Sequence, residues 1–521
     1  MGYRPRVRLP RPTTLRSLTT LVVAAVVATG CTGSASSPPA PSGSPLGATG
    51  SPATGGPVRF TLMEFNIEYG GSQVDFASVP KAIRAAGADV VGIEEGYATI
   101  PKIAHDLGWK YWDERTQIVS RFPILRPADG SPFTYVEVAP GRVVAIANEH
   151  LPSWDDGTFH MRNGWTAARL IAVENGLRVP AIEPAVDAVA PLAAAGMPSF
   201  VMGDFNTPSH LDYTPAAVRN RPGLIPVDWP VGEVVEAAGF RDSYRQLYPD
   251  PVTHPGLTWP ANRPFVAGYN PYRHGAPRNR IDFIYDGGPA QPLAAKIVGE
   301  PGVAGVDIVV SPWPTDHRAL VTTFQVTPVA PPDIVSPDRR LITTVDTAVL
   351  RYHGPEGAHV AVVPTGGDPS TDAVADVPTT GTDGAVQVTP DGGWTAATYD
   401  VVLLDADGRQ VADAKLWVEE PGQRPVVATG KPAYAAGEPI DVSWNLAPGN
   451  RWDWIGIYKR GSGVAAYLDY IYTGASVQGG GVVDASAEGS WPLEPGKYTV
   501  MLLRDDDYVK LATADFTITS S

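Results

Sequence analysis

The way the apolar strands end constrains this chain more than any other feature of its sequence. Between residues 58 and 327, strand-like runs alternate with stretches of helical spacing. "VRFTLMEFNI" reads as a strand, "VPKAIRAAG" as a helix stopped at Gly87, and "ADVVGIEE" as a buried strand. "GRVVAIANEHL", "SFVMGDF", "RIDFIY" and "HRALVTTFQV" read as further strands, and "MRNGWTAARLIAVENGL" repeats its apolar residues at helical spacing. Such alternation indicates a layered α/β architecture. Each strand then runs into polar residues: Asn66, Glu95, His150, Asp204 with Asn206, Asp282, and Asp316 with His317. One such end is an ordinary turn, since Gly, Asn and Asp favour turns on conformational grounds. In "VMGDFNTPSH" the spacing of two places Asp204 and Asn206 on one side of an extended chain.

Ligands of α/β sheets bind at strand ends. Convergence of these ends would place carboxylates, amides and imidazoles in one cleft. That mixture suits phosphoester hydrolysis. Oxygen donors without cysteine fit Mg²⁺, with Mn²⁺ or Ca²⁺ as alternatives, better than Zn²⁺. A carboxylate can orient or deprotonate the attacking water, and an imidazole can donate to the phosphate or protonate the leaving oxygen.

At 521 residues the chain is expected to hold several domains, and its net charge of -15 argues against broad electrostatic binding of nucleic acid or anionic lipid. One cysteine, Cys31, excludes an internal disulfide. Arginines 4, 6, 8, 11 and 16 precede the apolar run "LVVAAVVATG", which makes an export signal. "ATGC" ahead of the tether resembles a bacterial lipobox, with Ala28 where Leu is commoner; cleavage before Cys31 and lipid attachment to it are expected. The alternative is an ordinary signal with an incidental cysteine. Residues 1–31 are thus the signal and lipobox, and 32–57 ("TGSASSPPAPSGSPLGATGSPATGGP") are a flexible tether. The expected location is the outer face of the cytoplasmic membrane or the medium, and a monomer is expected.

Beyond residue 328 helical periodicity disappears. Residues 388–418 and 484–518 form a weak repeat: a turn, a tryptophan (Trp394, Trp491), a Tyr strand, an acidic hairpin and a last strand. Two β-sandwich modules are expected, 328–420 and 424–519. "RWDWIGIYKRG" suits a buried strand better than a ligand surface, and "RDDDY" reads as a solvated hairpin turn rather than a calcium loop.

The ordered set N-I-E, G-I-E-E, S-R-F-P-I, H-L, G-D-F-N, R-I-D-F and T-D-H resembles the endonuclease/exonuclease/phosphatase superfamily, the DNase I-like enzymes. The resemblance spans 58–327. It implies a four-layered α/β sandwich, two packed mixed sheets flanked by helices, and a divalent cation. It also implies roles. Glu95 would be the principal metal ligand, with Asp316 and Asn66 beside it. Asp204 would align or activate water, with Asn206 as its partner. His317 would contact phosphate, oriented by Asp282, and His150 would be a candidate general acid. Glu94 stands where Gln is common, Glu149 where an apolar residue is usual, and Thr315 where Ser is usual. "DWIGIY" in the last module weakly resembles SKICH-type β-sandwich domains.

The expected activity is that of a secreted or lipid-anchored, metal-dependent phosphodiesterase of nuclease type, acting on an oligonucleotide, nucleotide or phospholipid headgroup. One alternative is a sphingomyelin- or inositol-phosphate-directed enzyme whose C-terminal modules touch membrane or cell wall. The other is a non-catalytic surface binding protein. Arg121 and Arg280 read as structural arginines in preference to phosphate contacts, and His210 follows "GDFNTPS" closely enough to be a cleft candidate.

Overall fold

The computed structural model describes residues 56–520, apart from 129, 220, 265–270, 272–274 and 485–490. The export signal, Cys31 and residues 32–55 of the tether lie outside the described residues. Among the described residues no helix is long and apolar enough to cross a membrane.

Strand Val58–Asn66 runs parallel to Val90–Glu94 and antiparallel to Ala319–Val326, at the centre of a seven-stranded mixed sheet. A second, six-stranded sheet runs Ile124–Leu125, Phe133–Ala139, Arg142–His150, Ser199–Asp204, Asp282–Gly287, Arg241–Asp242. Its centre is also mixed, parallel between Arg142–His150 and Ser199–Asp204 and antiparallel to Asp282–Gly287. Side-chain alternation gives each strand two faces. Phe60, Leu62, Val144, Ile146, Phe200, Met202 and Ile284 fill the space between the sheets. Edge-on rings tighten that layer, with Phe60–Phe200 at 5.6 Å and Phe200–Phe324 at 4.9 Å between centroids.

The opposite faces take the helices. Ser78–Ala86 and Ile100–Leu107 set Val79, Ile83, Ile100 and Ile103 against Met63, Phe65, Val91 and Ile93. Val179–Ala194 and Pro230–Ala237 set Ile182, Val186, Val189 and Val235 against Ala145, Val201 and Phe283. The result is a four-layered α/β sandwich. Helix Val179–Ala194 has proline in its first turn and at 184 and 191. It persists because its apolar stripe is buried on the sheet, which offsets the backbone hydrogen bonds lost at proline.

The same alternation decides what reaches the rim. Continuing the inter-sheet faces along each strand gives Glu64 and Asn66, Glu94, Asn148 and His150, Asp204, and Asp282. Gly203 allows two strands to approach closely there. Its φ is +132°, and a Cβ would lie 1.9 Å from the Glu149 carbonyl oxygen.

The C-terminal half is all β. Each of its two modules packs a three-stranded sheet on a five-stranded one, with the same strand order in both. The weak sequence repeat is therefore a repeat of topology. It extends to a bulge at Leu403/Leu404 and at Leu502/Leu503. It extends also to a tyrosine hydroxyl donating to the carbonyl four residues back, Tyr399 to Thr395 and Tyr498 to Glu494. Arg126 joins the first module to the α/β domain, donating to the carbonyls of Pro337 and Asp338 while pairing with buried Asp113 at 3.0 Å.

Candidate active site

The residues singled out at the strand ends meet at one end of the slot between the two sheets. The amide of Asn66 donates to Asp204 Oδ2 at 2.9 Å and to Glu95 Oε1 at 3.3 Å. His317 lies between three carboxylates. Its Nδ1 is 2.9 Å from Asp282 Oδ1, and its Nε2 is 3.6 Å from Asp204 Oδ2 and 3.9 Å from Asp316 Oδ1. His150 Nε2 is 3.7 Å from Asp204 Oδ2, too far for a hydrogen bond, and it is buried without a partner.

Local structure holds these groups in place. The Thr315 hydroxyl donates to the Asn66 carbonyl at 3.0 Å and accepts from the His317 amide at 3.2 Å. The Trp313 indole donates to the His317 carbonyl. The T-D-H segment is thereby tied to a strand end some 250 residues earlier. Asp316 Oδ2 accepts from the Trp259 indole at 3.2 Å. Seven non-glycine residues with left-handed φ cluster at the site or on the loops facing it: Glu68, Tyr69, Glu95, Tyr97, Asn206, Asp505 and Asp506. Strain of this kind persists only where the surroundings impose it, and it concentrates at functional sites.

Asn206 departs from expectation. The strand ends at Asp204, Asn206 has φ 50°, and its amide donates to the Leu151 carbonyl. Two-residue alternation does not carry past the strand end, so Asn206 acts on Asp204 through its backbone, whose N–H donates to Asp204 Oδ1 at 2.8 Å.

Charge is unbalanced here. No lysine or arginine stands among Asn66, Glu95, His150, Asp204, Asn206, Asp282, Asp316 and His317. Burial, reinforced by Asp316, raises Glu95, and burial with Asp282 holds Asp204 well above the usual aspartate range. For His317 burial works downward, but Asp282 and Asp204 outweigh it and hold the imidazole well above its usual value. His150 is pushed down to about 3 by burial, then by His317 and Arg451. Asp204, Asp282 and His317 each offer a ligand atom within 4.8 Å of the others. This tightest cluster is not the expected set of Asn66, Glu95 and Asp316, which lies against it. Both sets are rich in hard oxygen donors, with the His317 imidazole as the cationic group among several carboxylates, and His150 Nε2 is unpartnered beside them. The donors thus fit a divalent cation, whose identity they leave open.

Several functional side chains escaped the sequence reading. Glu68, the last residue of N-I-E, is buried. It pairs with Arg263, accepts from the Asp316 amide at 3.0 Å, and is pushed up to about 8 by burial and then Asp316. Its place in the motif was the available signal. Glu94 is buried with Glu64 between the sheets, where the two carboxyls face each other beside Asn148, and burial raises both, Glu94 to about 7. Glu149 faces away from His150 as alternation requires, and it pairs with Arg451 of the last module.

The last module supplies further corrections. In "RWDWIGIYKRG", Trp454, Ile455 and Ile457 are core, but Trp452 lines a recess with Tyr69, Glu95 and His150. "RDDDY" is not a solvated turn: Asp505 is 1% exposed and Asp506 lines the same recess. Arg280 is structural, pairing with Asp212 and Asp242 at 2.9 and 2.6 Å. Arg121 is neither buried nor at the cleft, and pairs with Asp89 at the surface. His210 pairs with Glu236.

Residues 63–317 match the model of the Endonuclease/Exonuclease/phosphatase family. An uncharacterized protein of Caenorhabditis elegans is 28% identical over 255 residues, 44% of this chain and 79% of that protein. An endonuclease/exonuclease/phosphatase from Beutenbergia cavernae DSM 12333 superposes with TM-score 0.32 at 16% identity, covering 69% of this chain and 99% of that one. D. rerio TDP2, complexed with single strand DNA product, superposes with TM-score 0.30 at 17% identity, covering 51% and 98%. Segment 63–317, with its four-layered sandwich and its carboxylate–imidazole cleft, carries the match to the Endonuclease/Exonuclease/phosphatase family, and that match supports a hydrolase acting on phosphoester bonds.

Proposed function

We propose that this chain is an exported, divalent-cation-dependent phosphodiesterase, with a basic-then-apolar leader that directs export and Cys31 as its lipid-attachment site. One observation carries the catalytic reading: His317 bridges Asp282 and Asp204 at 2.9 and 3.6 Å where three strand ends meet.

Asp282 is 0% exposed, so it acts on substrate only through His317. Accepting from Nδ1, it fixes the ring orientation and holds the imidazole protonated, so that Nε2 also carries a proton for a phosphoryl or leaving oxygen. Asp204 faces that Nε2 and the Asn66 amide. It is the group that orients the attacking water and takes up its proton. Asn66 and the Asn206 amide hold Asp204 in position. His150 is neutral, so it offers a hydrogen bond without charge at the same opening. A divalent cation held by Glu95, Asp316 and Asn66, against the Asp204–Asp282–His317 cluster, would polarise the phosphoryl oxygen and offset charge developing in in-line attack.

The test is hydrolysis of a panel by the full chain: bis(4-nitrophenyl) phosphate, plasmid DNA, RNA, sphingomyelin, inositol phosphates and a phosphomonoester, with Mg²⁺, Mn²⁺ or chelator. Cation-dependent turnover of diesters over the monoester is expected. Turnover that survives chelation, or that favours the monoester, would contradict the proposal.

A further inference from the structure

The cleft has a wall that comes from outside the α/β domain. Two loops of the last module, 446–453 and 504–509, stand over it. On one side of a small recess are Glu95, Tyr97, His150 and Ser153, and on the other are Trp452 and Asp506.

The two loops are stitched together. The Trp452 amide donates to Asp505 Oδ1 at 3.1 Å, and the Asp506 amide donates to the Trp452 carbonyl at 2.8 Å. The Tyr472 hydroxyl donates to Asp506 Oδ1 at 2.8 Å, and its ring meets Trp452 edge-on at 5.3 Å. A clasp fixes them to the α/β domain: Arg451 donates to the Asn148 carbonyl and pairs with Glu149, the residue before His150. From behind, Arg340 of the first module donates to the Gly449 carbonyl at 2.9 Å.

The repeat provides an internal control. The matching loops of the first module, 354–358 and 405–409, have five residues each, against eight in 446–453 and six in 504–509. Tryptophan occurs in neither of the shorter loops. The extra length and the aromatic side chain occur in the module copy that reaches the cleft.

We infer that Trp452 and Asp506 are specificity-determining residues, selecting a compact phosphoester with a single phosphate and a neutral or cationic remainder over a nucleic-acid strand. This rests on the hydrolase reading above and adds the substrate class. The argument is steric and electrostatic. A strand entering past the scissile phosphate meets the Trp452 ring. Its next phosphate meets Asp506, and among the described residues the recess lining contains no lysine or arginine to receive it; Arg451, 5.0 Å from the Trp452 ring, is engaged by the Asn148 carbonyl and Glu149. Like charges placed across an interface reject the wrong partner. An aromatic ring beside a carboxylate instead accepts a neutral or positively charged group.

The experiment compares wild type, Asp506→Asn, Trp452→Ala and His317→Ala as full chains with Mg²⁺. It measures kcat/KM for bis(4-nitrophenyl) phosphate and for a hexathymidylate oligonucleotide. Asp506→Asn keeps shape and the acceptor for Tyr472, so it guards against loss of fold. The oligonucleotide-to-diester ratio should rise by about tenfold or more in Asp506→Asn, the scale of one like-charge contact removed from a partly buried site, and it should rise in Trp452→Ala, which removes the steric block. An unchanged ratio, with His317→Ala inactive on both substrates, overturns the wall and leaves the hydrolase reading standing. No metal-dependent turnover by wild type overturns both.

Discussion

Replacing Asp282 by asparagine keeps the shape of the site and removes one charge. The carboxylate is 0% exposed and 2.9 Å from His317 Nδ1. Unit charges at about 4 Å interact by about 4 kcal/mol at an effective dielectric constant of about 20. Asparagine retains one acceptor, so we assign about 3–4 kcal/mol to the lost charge, or roughly 10²–10³ in rate at 1.4 kcal/mol per tenfold. Because Asp282 does not reach substrate, the loss belongs in kcat, with KM within about threefold. Stability should change little, since the lost attraction to His317 is offset by relief of the buried carboxyls Glu64 and Asp204, both of which Asp282 raises. The assay is steady-state hydrolysis of bis(4-nitrophenyl) phosphate beside a thermal melt. A kcat within fivefold of wild type at unchanged Tm would refute the orienting role, and so would a loss carried by KM.

Two further predictions concern the frame around the site. Arg280→Met strips the ion-pair partner from buried Asp242 and one of two arginines from Asp212, which keeps Arg245, and should destabilise the α/β domain by about 3–5 kcal/mol. Urea unfolding followed by the fluorescence of that domain checks it, and a loss below 1 kcal/mol would contradict it. Asp286, at the far end of the Asp282 strand, is pushed up to about 6 by burial, against which Gln246 and Arg241 work. The folded state holds that proton longer than the unfolded state. Its stability contribution is therefore full below the usual aspartate range and is lost as pH rises through about 6. Asp286→Asn should gain stability relative to wild type between pH 4.5 and pH 8 by about 3 kcal/mol at most, and denaturant midpoints at the two pH values measure it.

The fold and most of the cleft are legible in the sequence because both follow from alternation along strands. Asn66, His150, Asp204 and Asp282 lie on inter-sheet faces whose apolar residues include Leu62, Ile146, Met202 and Ile284. A strand that buries its apolar residues on that side must carry its last polar residue to the same rim. Where the strand stops, the argument stops, and Asn206 turned away. Glu64 lies hidden inside an apolar run, and Glu94, marked only as an acid where Gln is common, carries no local sign that it faces Glu64. The helix at Val179–Ala194 was masked by its prolines, which propensity penalises and packing overrides. Trp452 and Asp506 were read as core and solvated turn because their partners lie about 300 residues away; the Arg451–Asn148 contact spans 303 positions. The one local hint was Glu149, an acid where an apolar residue is usual, which the clasp to Arg451 explains.

The central claim is that Asp204 and His317 act on a phosphoester in one cation-dependent site. It is tested most directly by single-turnover hydrolysis of bis(4-nitrophenyl) phosphate by wild type, Asp204→Asn and His317→Gln, before chelation, after it, and after Mg²⁺ is restored. The account predicts that chelation abolishes wild-type turnover, that Mg²⁺ restores it, and that neither variant recovers more than about one part in a hundred. Variants that fold as wild type and regain near-normal turnover with Mg²⁺ would contradict it.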